Sequence, residues 1–304
     1  MPLTVMACSA ALNLSRDWDL RIYFMDGGVS APSRARMENK IRALPNVKLH
    51  WHTIDLGHFR ELPVLRRVNS TMYIRLLMDE ILPADIERLV YLDGDMLVEA
   101  DLSELYREDF AGATLMAVCD YGSPGLRDEL PIPGVEVAER KNVPYFNSGM
   151  LLINMKPWRE DRVGRVVLDY VSKYKSIVRF PDQDGLNAVL FGKWKPLDLA
   201  WNAQVDNLVN TAQLADTAVD EEVRRRRDEL LNHPKIQHYA GRKKPWGPGR
   251  FKPVRARFVH YLHASRWFDT GDLIRFHAGW LVSTGRMAMR EMRKKLLKQD
   301  GVKK

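Results

Sequence analysis

The segment Val90-Tyr91-Leu92-Asp93-Gly94-Asp95-Met96 places an apolar run directly before two aspartates. A compact apolar run that ends in a polar turn is typical of a buried strand reaching the edge of a sheet. Side chains two residues apart on an extended chain point the same way, so the carboxylates of Asp93 and Asp95 are expected to face one ligand. Gly94 lets that ligand approach the backbone. The segment therefore predicts a site for Mg²⁺ or Mn²⁺, the alternative being a simple polar turn.

Short apolar runs of the same kind alternate with helical patterns along the first two hundred residues. Strands are predicted at residues 20–25, 47–51, 88–92, 115–118 and 149–153. Helices are predicted at residues 3–14, 33–44, 71–82, 162–175 and 271–298, and the Gly- and Pro-rich residues 241–257 predict a loop. This alternation favours an α/β fold with a mainly parallel sheet that helices cover on both faces. Ligands of such sheets bind beyond the carboxyl ends of the strands, where Asp93 and Asp95 lie.

Length and composition limit the class of protein. The chain has 304 residues, of which 45% are hydrophobic and 28% charged, and these values exclude a disordered chain and a disulfide scaffold. The two cysteines have no CxxC spacing, which argues against structural zinc and favours a reducing, cytoplasmic location. No apolar run approaches the roughly 20 residues that span a bilayer, and no secretory leader is recognised.

The basic charge is concentrated in the C-terminal part of the chain. Residues 242–304 carry 17 Lys/Arg and 4 Asp/Glu, whereas the rest of the chain is mildly acidic. Within this part, residues 286–304 carry eight Lys/Arg and two acidic residues. We interpret residues 286–304 as a segment for peripheral attachment to the anionic inner face of the cell membrane, the alternative being a solvated terminal helix. Its apolar face is predicted to consist of Trp280, Leu281, Met287, Met292 and Leu296. No nucleic acid is expected as a partner, because no recognised nucleic-acid-binding module accompanies the charge.

Three further polar segments lie next to apolar ones. Residues 145–149 open into an apolar run, residues 181–184 open a helical pattern, and His238 ends an apolar segment shortly before the basic residues 242–244. Each has an ordinary structural explanation: a capped turn, acidic residues at a helix N-terminus, and a buried, hydrogen-bonded histidine. An imidazole can also join two carboxylates around a divalent ion, and neighbouring glycine and lysine residues can hold a pyrophosphate.

Several common motifs are excluded. An EF-hand loop starting at Asp93 would need an oxygen ligand and glycine at its fifth and sixth positions, but Leu97 and Val98 stand there. The sequence has no P-loop, GxGxxG or GxSxG element, so ATPase, dinucleotide-dependent dehydrogenase and α/β-hydrolase functions are not predicted.

Taken together and in this order, the polar segments resemble glycosyltransferase family 8. This family comprises retaining, metal-dependent sugar transferases such as bacterial lipopolysaccharide galactosyltransferases and glycogenin. The resemblance covers about residues 3–250, and it runs through Tyr73-Ile74-Arg75-Leu76, Tyr91-Leu92-Asp93-Gly94-Asp95, Phe146-Asn147-Ser148-Gly149, Asp182-Gln183-Asp184, His238-Tyr239-Ala240-Gly241 and Lys244-Pro245-Trp246.

The resemblance implies a GT-A nucleotide-sugar-binding fold, with a mixed, mainly parallel sheet, over residues 1–257. A basic helical appendage over residues 258–304 would follow it. By resemblance, Mn²⁺ (or Mg²⁺) is bound by Asp93, Asp95 and His238, and the donor diphosphate by Gly241 and Lys244. The donor sugar or its ribose is contacted by Arg75, Asp93, Asn147, Asp182 and Gln183, and the acceptor by Asp120.

The implied reaction moves glucose or galactose from a UDP-hexose to a glycan or lipid-linked acceptor with retention of configuration. The developing charge on UDP needs a Lewis acid and cations. A double displacement would need a carboxylate beneath the anomeric carbon, where the resemblance places Gln183, a poor nucleophile. We therefore favour a front-face substitution in which a UDP oxygen takes the acceptor proton, with Asp182 as a nucleophile or electrostatic stabiliser in the alternative.

The start of the chain differs from the family pattern. Family members open with a strand and a loop that binds uracil and ribose, whereas this chain begins within the helix that follows. We therefore predict that the first strand is absent, that the sheet lacks a central strand, and that activity is weak or folding poor. Two alternatives are an inactive, membrane-associated glycan-binding relic and a metal-dependent nucleotidyltransferase.

Overall fold

The computed structural model describes residues 1–63, 70–123, 130–136, 144–215, 217–241, 243–248 and 252–300. The strands in these ranges are β1 (Leu20–Asp26), β2 (Val47–Thr53), β3 (Arg88–Leu92), β4 (Met96–Val98), β5 (Leu115–Cys119), β6 (Phe146–Asn154), β7 (Trp194–Pro196), β8 (Ala203–Gln204) and β9 (Ile236–His238). All five predicted strands are present, with ends shifted by up to three residues.

The helices pack around these strands. They are α1 (Pro2–Asn13), α2 (Ala31–Arg42), α3 (Met78–Ile81), α4 (Leu102–Tyr106), α5 (Met155–Glu160), α6 (Val163–Lys173), α7 (Pro181–Val189), α8 (Val205–Val209), α9 (Ala218–Asn232), α10 (Lys252–Ala264) and α11 (Thr270–Asp300). Short 3₁₀ helices are found at Leu56–Phe59, Ser70–Leu77, Leu199–Asn202 and Thr211–Gln213. None of the described helices has the length and apolar character needed to cross a membrane.

The strands form three sheets. The largest has the order β3-β6-β5-β7, in which β6 runs antiparallel to both β3 and β5, and β7 is parallel to β5. A parallel pair β1-β2 and a sheet of order β4-β9-β8 complete the set. The mixed α/β architecture is confirmed, but parallel pairings do not outnumber antiparallel ones among the described strands. An apolar run indicates that a strand is buried on both faces, but it does not indicate whether the strand runs parallel or antiparallel to its neighbours. This explains the difference from the predicted mainly parallel sheet.

The central strands are buried on both faces. Every residue of β5 is buried, and every residue of β6 except Asn154. Alternate side chains of β6 pack into different cores, with Leu151 and Ile153 beside Trp158 on one side and Met150 and Leu152 on the other. The continuous apolar runs seen in the sequence follow from this double coverage.

The carboxyl ends of β1 and β3 lie at the same end of the molecule. The 3₁₀ helix Ser70–Leu77 contacts both, because Gly27 lies against Ile74 and Arg75 pairs with Asp93 at 2.7 Å. A side-chain atom added at Gly27 would lie 2.8 Å from Ile74, so this end of β1 is closely packed.

The amino ends of β1 and β3 are bridged as well. Tyr106 stacks edge-on against Trp18, with ring centroids 5.7 Å apart, and its carbonyl oxygen accepts a hydrogen bond from Arg88 at 2.6 Å. The two strands therefore run in the same direction without pairing with each other, and each has one edge with which no described strand pairs. A cavity of about 1690 Å³ follows the length of both strands, and Met6, Ala10 and other α1 residues line it. We call the part of the cavity that is lined by α1, β1 (Leu20–Asp26) and β3 (Arg88–Leu92) the slot.

The C-terminal region differs from the prediction in one respect. The helix α10 starts at Lys252, within the predicted loop. Pro253 is compatible with this start, since a missing N–H costs little in the first turn of a helix. The predicted boundary after residue 257 falls inside α10. Val254 and Phe258, on either side of it, lie in the same core as Val5 of α1.

Candidate active site

Three side chains from two strand ends converge at the mouth of the cavity. The pairing of β3 with β6 continues as a hydrogen bond from Asp93 N to Gly149 O at 2.8 Å, and the pairing of β4 with β9 sets Met96 opposite His238. Asp95 therefore lies beside His238. The side-chain ligand atoms of Asp93, Asp95 and His238 lie within 4.8 Å of one another.

These groups fit a divalent cation. Two carboxylates and an imidazole are a donor set that suits Mn²⁺ or Mg²⁺ with phosphate oxygens completing the shell. The Lys244 ammonium lies 2.5 Å from Asp95 Oδ2, and His238 Nε2 lies 3.5 Å from Asp95 Oδ1. Burial alone would raise the pKa of Asp95, but the contacts with His238 and Lys244 outweigh it and hold that pKa well below its usual range. Asp95 is thus an ionised carboxylate that attracts positive charge.

Arg75 organises the donor side of the site. Its side chain is buried, and it contacts Asp93 Oδ1 at 2.7 Å and Asp182 Oδ2 at 3.3 Å. The guanidinium also lies over the Tyr91 ring at 4.5 Å and donates to the Ser148 carbonyl at 2.5 Å. Burial opposes the charge of Arg75, but the nearby carboxylates outweigh it and raise the pKa of Arg75. A buried cation of this kind fixes the orientation of both carboxylates.

The first turn of α7 supplies Asp182 and Gln183, both buried. Burial raises the pKa of Asp182, and Arg75 partly offsets that rise. Gln183 accepts a hydrogen bond from Ser148 N at 3.0 Å through Oε1, and its Nε2 donates to Asp120 Oδ2 at 3.1 Å. The Gln183 amide is therefore held in one orientation.

Asp120 follows β5 and lines the same cavity beside Gln183. Its Oδ2 also accepts from Asn147 Nδ2 at 2.8 Å. Burial raises the pKa of Asp120, while the two amide donors, Asn147 and Gln183, act against that rise.

Gly241 and Lys244 complete the arrangement. A side-chain atom added at Gly241 would lie 1.2 Å from Asp206 Oδ2, so only glycine fits there. Lys244 also donates to the Tyr239 carbonyl oxygen at 2.5 Å. Arg242, which the sequence placed in the same basic stretch, lies outside the described residues.

All ten predicted site residues line one cavity. They are Arg75, Asp93, Asp95, Asp120, Asn147, Asp182, Gln183, His238, Gly241 and Lys244. The structure thus brings together residues that are far apart in the sequence, and their individual roles remain predictions.

Sequence reasoning missed three residues that hold the site in place. Tyr91 donates to Asp93 Oδ1 at 2.7 Å, and Asn202 contacts both His238 and Asn147. Gly149 lies in one of the motifs, but the sequence does not indicate that it packs against His238. A side-chain atom added at Gly149 would lie 2.4 Å from the His238 ring. Tyr91 carried a signal, because it lies two residues before Asp93 on the same face of a strand. Asn202 carried none.

A sequence profile described as "Glycosyl transferase family 8" matches residues 1–248. The chain belongs to glycosyl transferase family 8. Its fold is GT-A, and the crystal structure of the galactosyltransferase LgtC with donor and acceptor sugar analogues matches with a TM-score of 0.71. That match has 26% sequence identity and covers 89% of this chain and 94% of the other.

Two curated relatives extend the comparison. General stress protein A of Bacillus subtilis (strain 168) is 26% identical over 270 residues, covering 88% of this chain and 90% of the relative. Lipopolysaccharide 1,2-glucosyltransferase of Escherichia coli (strain K12) is 23% identical over 231 residues, covering 76% of this chain and 65% of the relative. Family membership establishes a glycosyltransferase, and the names of two similar proteins give different sugars, galactose for LgtC and glucose for the Escherichia coli enzyme.

Proposed function

We propose that the protein transfers glucose or galactose from a UDP-hexose to a glycan or lipid-linked acceptor, with retention of configuration. The observation that carries the proposal is the convergence of Asp93, Asp95 and His238 within 4.8 Å, next to Lys244 and Arg75. Two carboxylates, an imidazole and two cations in one cavity suit a nucleotide sugar whose metal-bound diphosphate is the leaving group.

In this proposal Asp93, Asp95 and His238 hold Mn²⁺, with Mg²⁺ as the substitute. When bound, the ion stabilises the negative charge that develops on the diphosphate leaving group. The Lys244 ammonium lies 2.5 Å from Asp95, which places it where it would contact the oxygens of a diphosphate bound beside the ion. Gly241, which packs against Asp206, would help hold the diphosphate through its backbone N–H.

The residues at the sugar favour a front-face reaction. The Gln183 carbonyl oxygen accepts from Ser148 N and is not free to attack, and an amide is a poor nucleophile in any case. The bond from the anomeric carbon to the UDP oxygen breaks, the acceptor oxygen bonds to the same face, and the UDP oxygen takes the acceptor proton. Asp182, held by Arg75, stabilises the positive charge on the sugar. A covalent sugar on Asp182 is the competing route.

Asp120 is proposed to accept a hydrogen bond from an acceptor hydroxyl. Its Oδ2 is held by Asn147 and Gln183 and the residue lines the cavity, so we propose Oδ1 as the acceptor contact. The named relatives include an enzyme for lipopolysaccharide and a galactosyltransferase, which supports a surface glycan as the acceptor.

We place the enzyme in the cytoplasm, on the inner face of the membrane, bound through the basic residues 286–304. Exposed apolar side chains of α11 support this proposal: Ile274, Leu281, Val282 and Met289 are 53–64% exposed, and their spacing puts them on one face. Trp280 does not join that face as predicted, because it packs over Arg255 at 4.0 Å and donates to Gly247 O. The side chains of residues 291–300 lie outside the described part of the chain.

An inactive glycan-binding relic is the second candidate, and the observation that favours it is that β1 and β3 each keep one edge unpaired among the described strands. A metal-dependent nucleotidyltransferase leaves the cluster of Asn147 and His238 around Asn202 unexplained.

Hydrolysis of UDP-glucose and UDP-galactose in Mn²⁺ separates the enzyme from the relic. We expect Asp93→Asn and Asp95→Asn each to lower the rate by about 10²–10³-fold, since several kcal/mol of charge stabilisation depend on the ligand set. Asp161→Asn is the control, because Asp161 forms an exposed pair with Lys193. Equal rates in all variants, or no rate above background in the unmodified protein, would contradict the proposal.

A further inference from the structure

We propose that Asn202 is a positioning residue that fixes the proton of His238 on Nδ1 and so presents Nε2 to the cation. The inference rests on the proposed function only for the presence of a cation. Asn202 ends the 3₁₀ helix Leu199–Asn202 and is fully buried. It does not line the cavity and acts through two neighbours that do.

The proton position follows from a backbone donor whose identity is fixed. Gly149 N donates to Asn147 Oδ1 at 3.0 Å, which makes that oxygen an acceptor. The Asn202 side chain lies 3.0 Å from the same oxygen, so the atom that meets it is the Nδ2 donor. The other end of the Asn202 amide is therefore Oδ1, an acceptor.

Asn202 Oδ1 lies 2.9 Å from His238 Nδ1. An acceptor there requires a proton on Nδ1. In the neutral ring His238 Nε2 then carries no proton, so its lone pair is available to a cation, and it lies 3.5 Å from Asp95 Oδ1. This arrangement matches the usual support of metal-bound histidines, in which the second ring nitrogen donates to a neighbouring oxygen.

The same amide also orients the acceptor side of the site. With its oxygen held by Gly149 and Asn202, Asn147 must turn Nδ2 to Asp120, as observed at 2.8 Å. One buried amide thus links the ring of His238 to the rotamer of Asn147.

Two variants separate these roles. Asn202→Leu removes both contacts and is expected to weaken Mn²⁺ binding by about 10–100-fold, the usual effect of losing such a partner. Asn202→Asp keeps an acceptor for His238 but loses the donor to Asn147. We expect it to hold Mn²⁺ within about threefold of the unmodified protein while kcat for UDP-hexose hydrolysis falls at least about tenfold.

Mn²⁺ alone is titrated into the full-length, metal-free protein, and free Mn²⁺ is measured by its electron paramagnetic resonance signal. Gln237→Leu is the matched control, because Gln237 is equally buried and adjacent in β9 but its amide contacts Tyr239. Its Mn²⁺ affinity is expected to be unchanged. Equal affinity in Asn202→Leu and the unmodified protein would overturn the inference, and so would loss of affinity in Asn202→Asp equal to that in Asn202→Leu.

A spectroscopic measurement tests the proton position without any metal. Two-bond ¹H–¹⁵N spectra of the histidine rings, assigned with His238→Gln, are recorded at a pH where the rings are neutral. We expect His238 to be protonated on Nδ1, and protonation on Nε2 would refute the inference. Failure of the unmodified protein to bind Mn²⁺ would count against the proposed function, and this spectrum would still decide the role of Asn202.

Discussion

At the residue scale, the buried carboxylate of Asp182 and the half-buried carboxylate of Asp120 differ in their neighbours. Asp182 is paired with the Arg75 guanidinium at 3.3 Å, whereas Asp120 accepts hydrogen bonds from the neutral amides of Asn147 and Gln183. Neutral donors compensate a buried negative charge less well than a cation does. The Asp120 carboxylate is therefore expected to lower the stability of the folded protein, while the proposed contact with the acceptor requires it.

We predict that Asp120→Asn raises the free energy of unfolding at pH 7 by about 1 kcal/mol while lowering transfer to the acceptor. Burial raises the pKa of Asp120 in the folded state, so the folded state is penalised when the carboxyl ionises. The penalty is absent below the folded-state and unfolded-state pKa values and grows as pH rises through the interval between them. Urea unfolding at pH 7 and at lower pH measures this, and an advantage of the variant that does not shrink on acidification would refute it.

Residue identity was predictable where a polar side chain interrupts an apolar run. Asp93, Asn147 and His238 stand at strand ends, so the sequence itself marks them as candidates. Asn202 lies beside Trp201 in a short turn, and its importance comes from contacts to β6 and β9, which are distant in sequence. Contacts of that kind are set by tertiary packing and leave no local pattern.

At the element scale, the slot between β1 and β3 is the most consequential feature. The two strands run in the same direction, each with one edge unpaired among the described strands, and residues of α1 line the same cavity as both strands. The start of α1 is at the carboxyl end of β3, because Leu3 lies against Gly94. A strand that enters the slot parallel to β3 would therefore end where α1 begins.

We predict that an apolar strand of about six residues, joined to Met1 by a short loop, stabilises the protein. It would pair with both edges and bury apolar surface, which is worth several kcal/mol at about 25 cal/mol per Å². The control is an extension of equal length made of Gly and Ser. Thermal unfolding of the two proteins is compared, and equal melting temperatures would show that the slot does not bind a strand.

The sequence predicted the existence of elements better than their direction or limits. Apolar periodicity located the five predicted strands, but the antiparallel course of β6 depends on chain connections that periodicity does not encode. Composition failed at α10, where proline and glycine near residues 247–253 predicted a loop. A proline occurs both in loops and in the first turn of a helix, so the local sequence does not distinguish a loop from a helix here.

At the scale of the whole molecule, the charge is divided between a mildly acidic body and a basic C-terminal region. Ile274, Leu281, Val282 and Met289 add an exposed apolar face to α11. Apolar surface next to positive charge favours an anionic bilayer over a neutral one.

We predict that the protein binds anionic vesicles at low salt and is released at high salt, because the interaction is screened. Deleting residues 286–304 should abolish binding, and Leu281→Asp should weaken it by about tenfold or more. Val166→Asp is the control, since Val166 is an exposed apolar residue on α6. Cosedimentation measures binding, and full retention by the deletion variant would rule out this face as the anchor.

The central claim is that one cavity joins a cation site to a sugar site that works with retention. The most direct measurement is ¹H NMR of the hexose released from UDP-glucose or UDP-galactose in Mn²⁺, recorded before the product anomers equilibrate. We predict that the α-anomer appears first and that its formation is lost in Asp95→Asn. Initial formation of the β-anomer, or hydrolysis that persists in Asp95→Asn, would contradict the account.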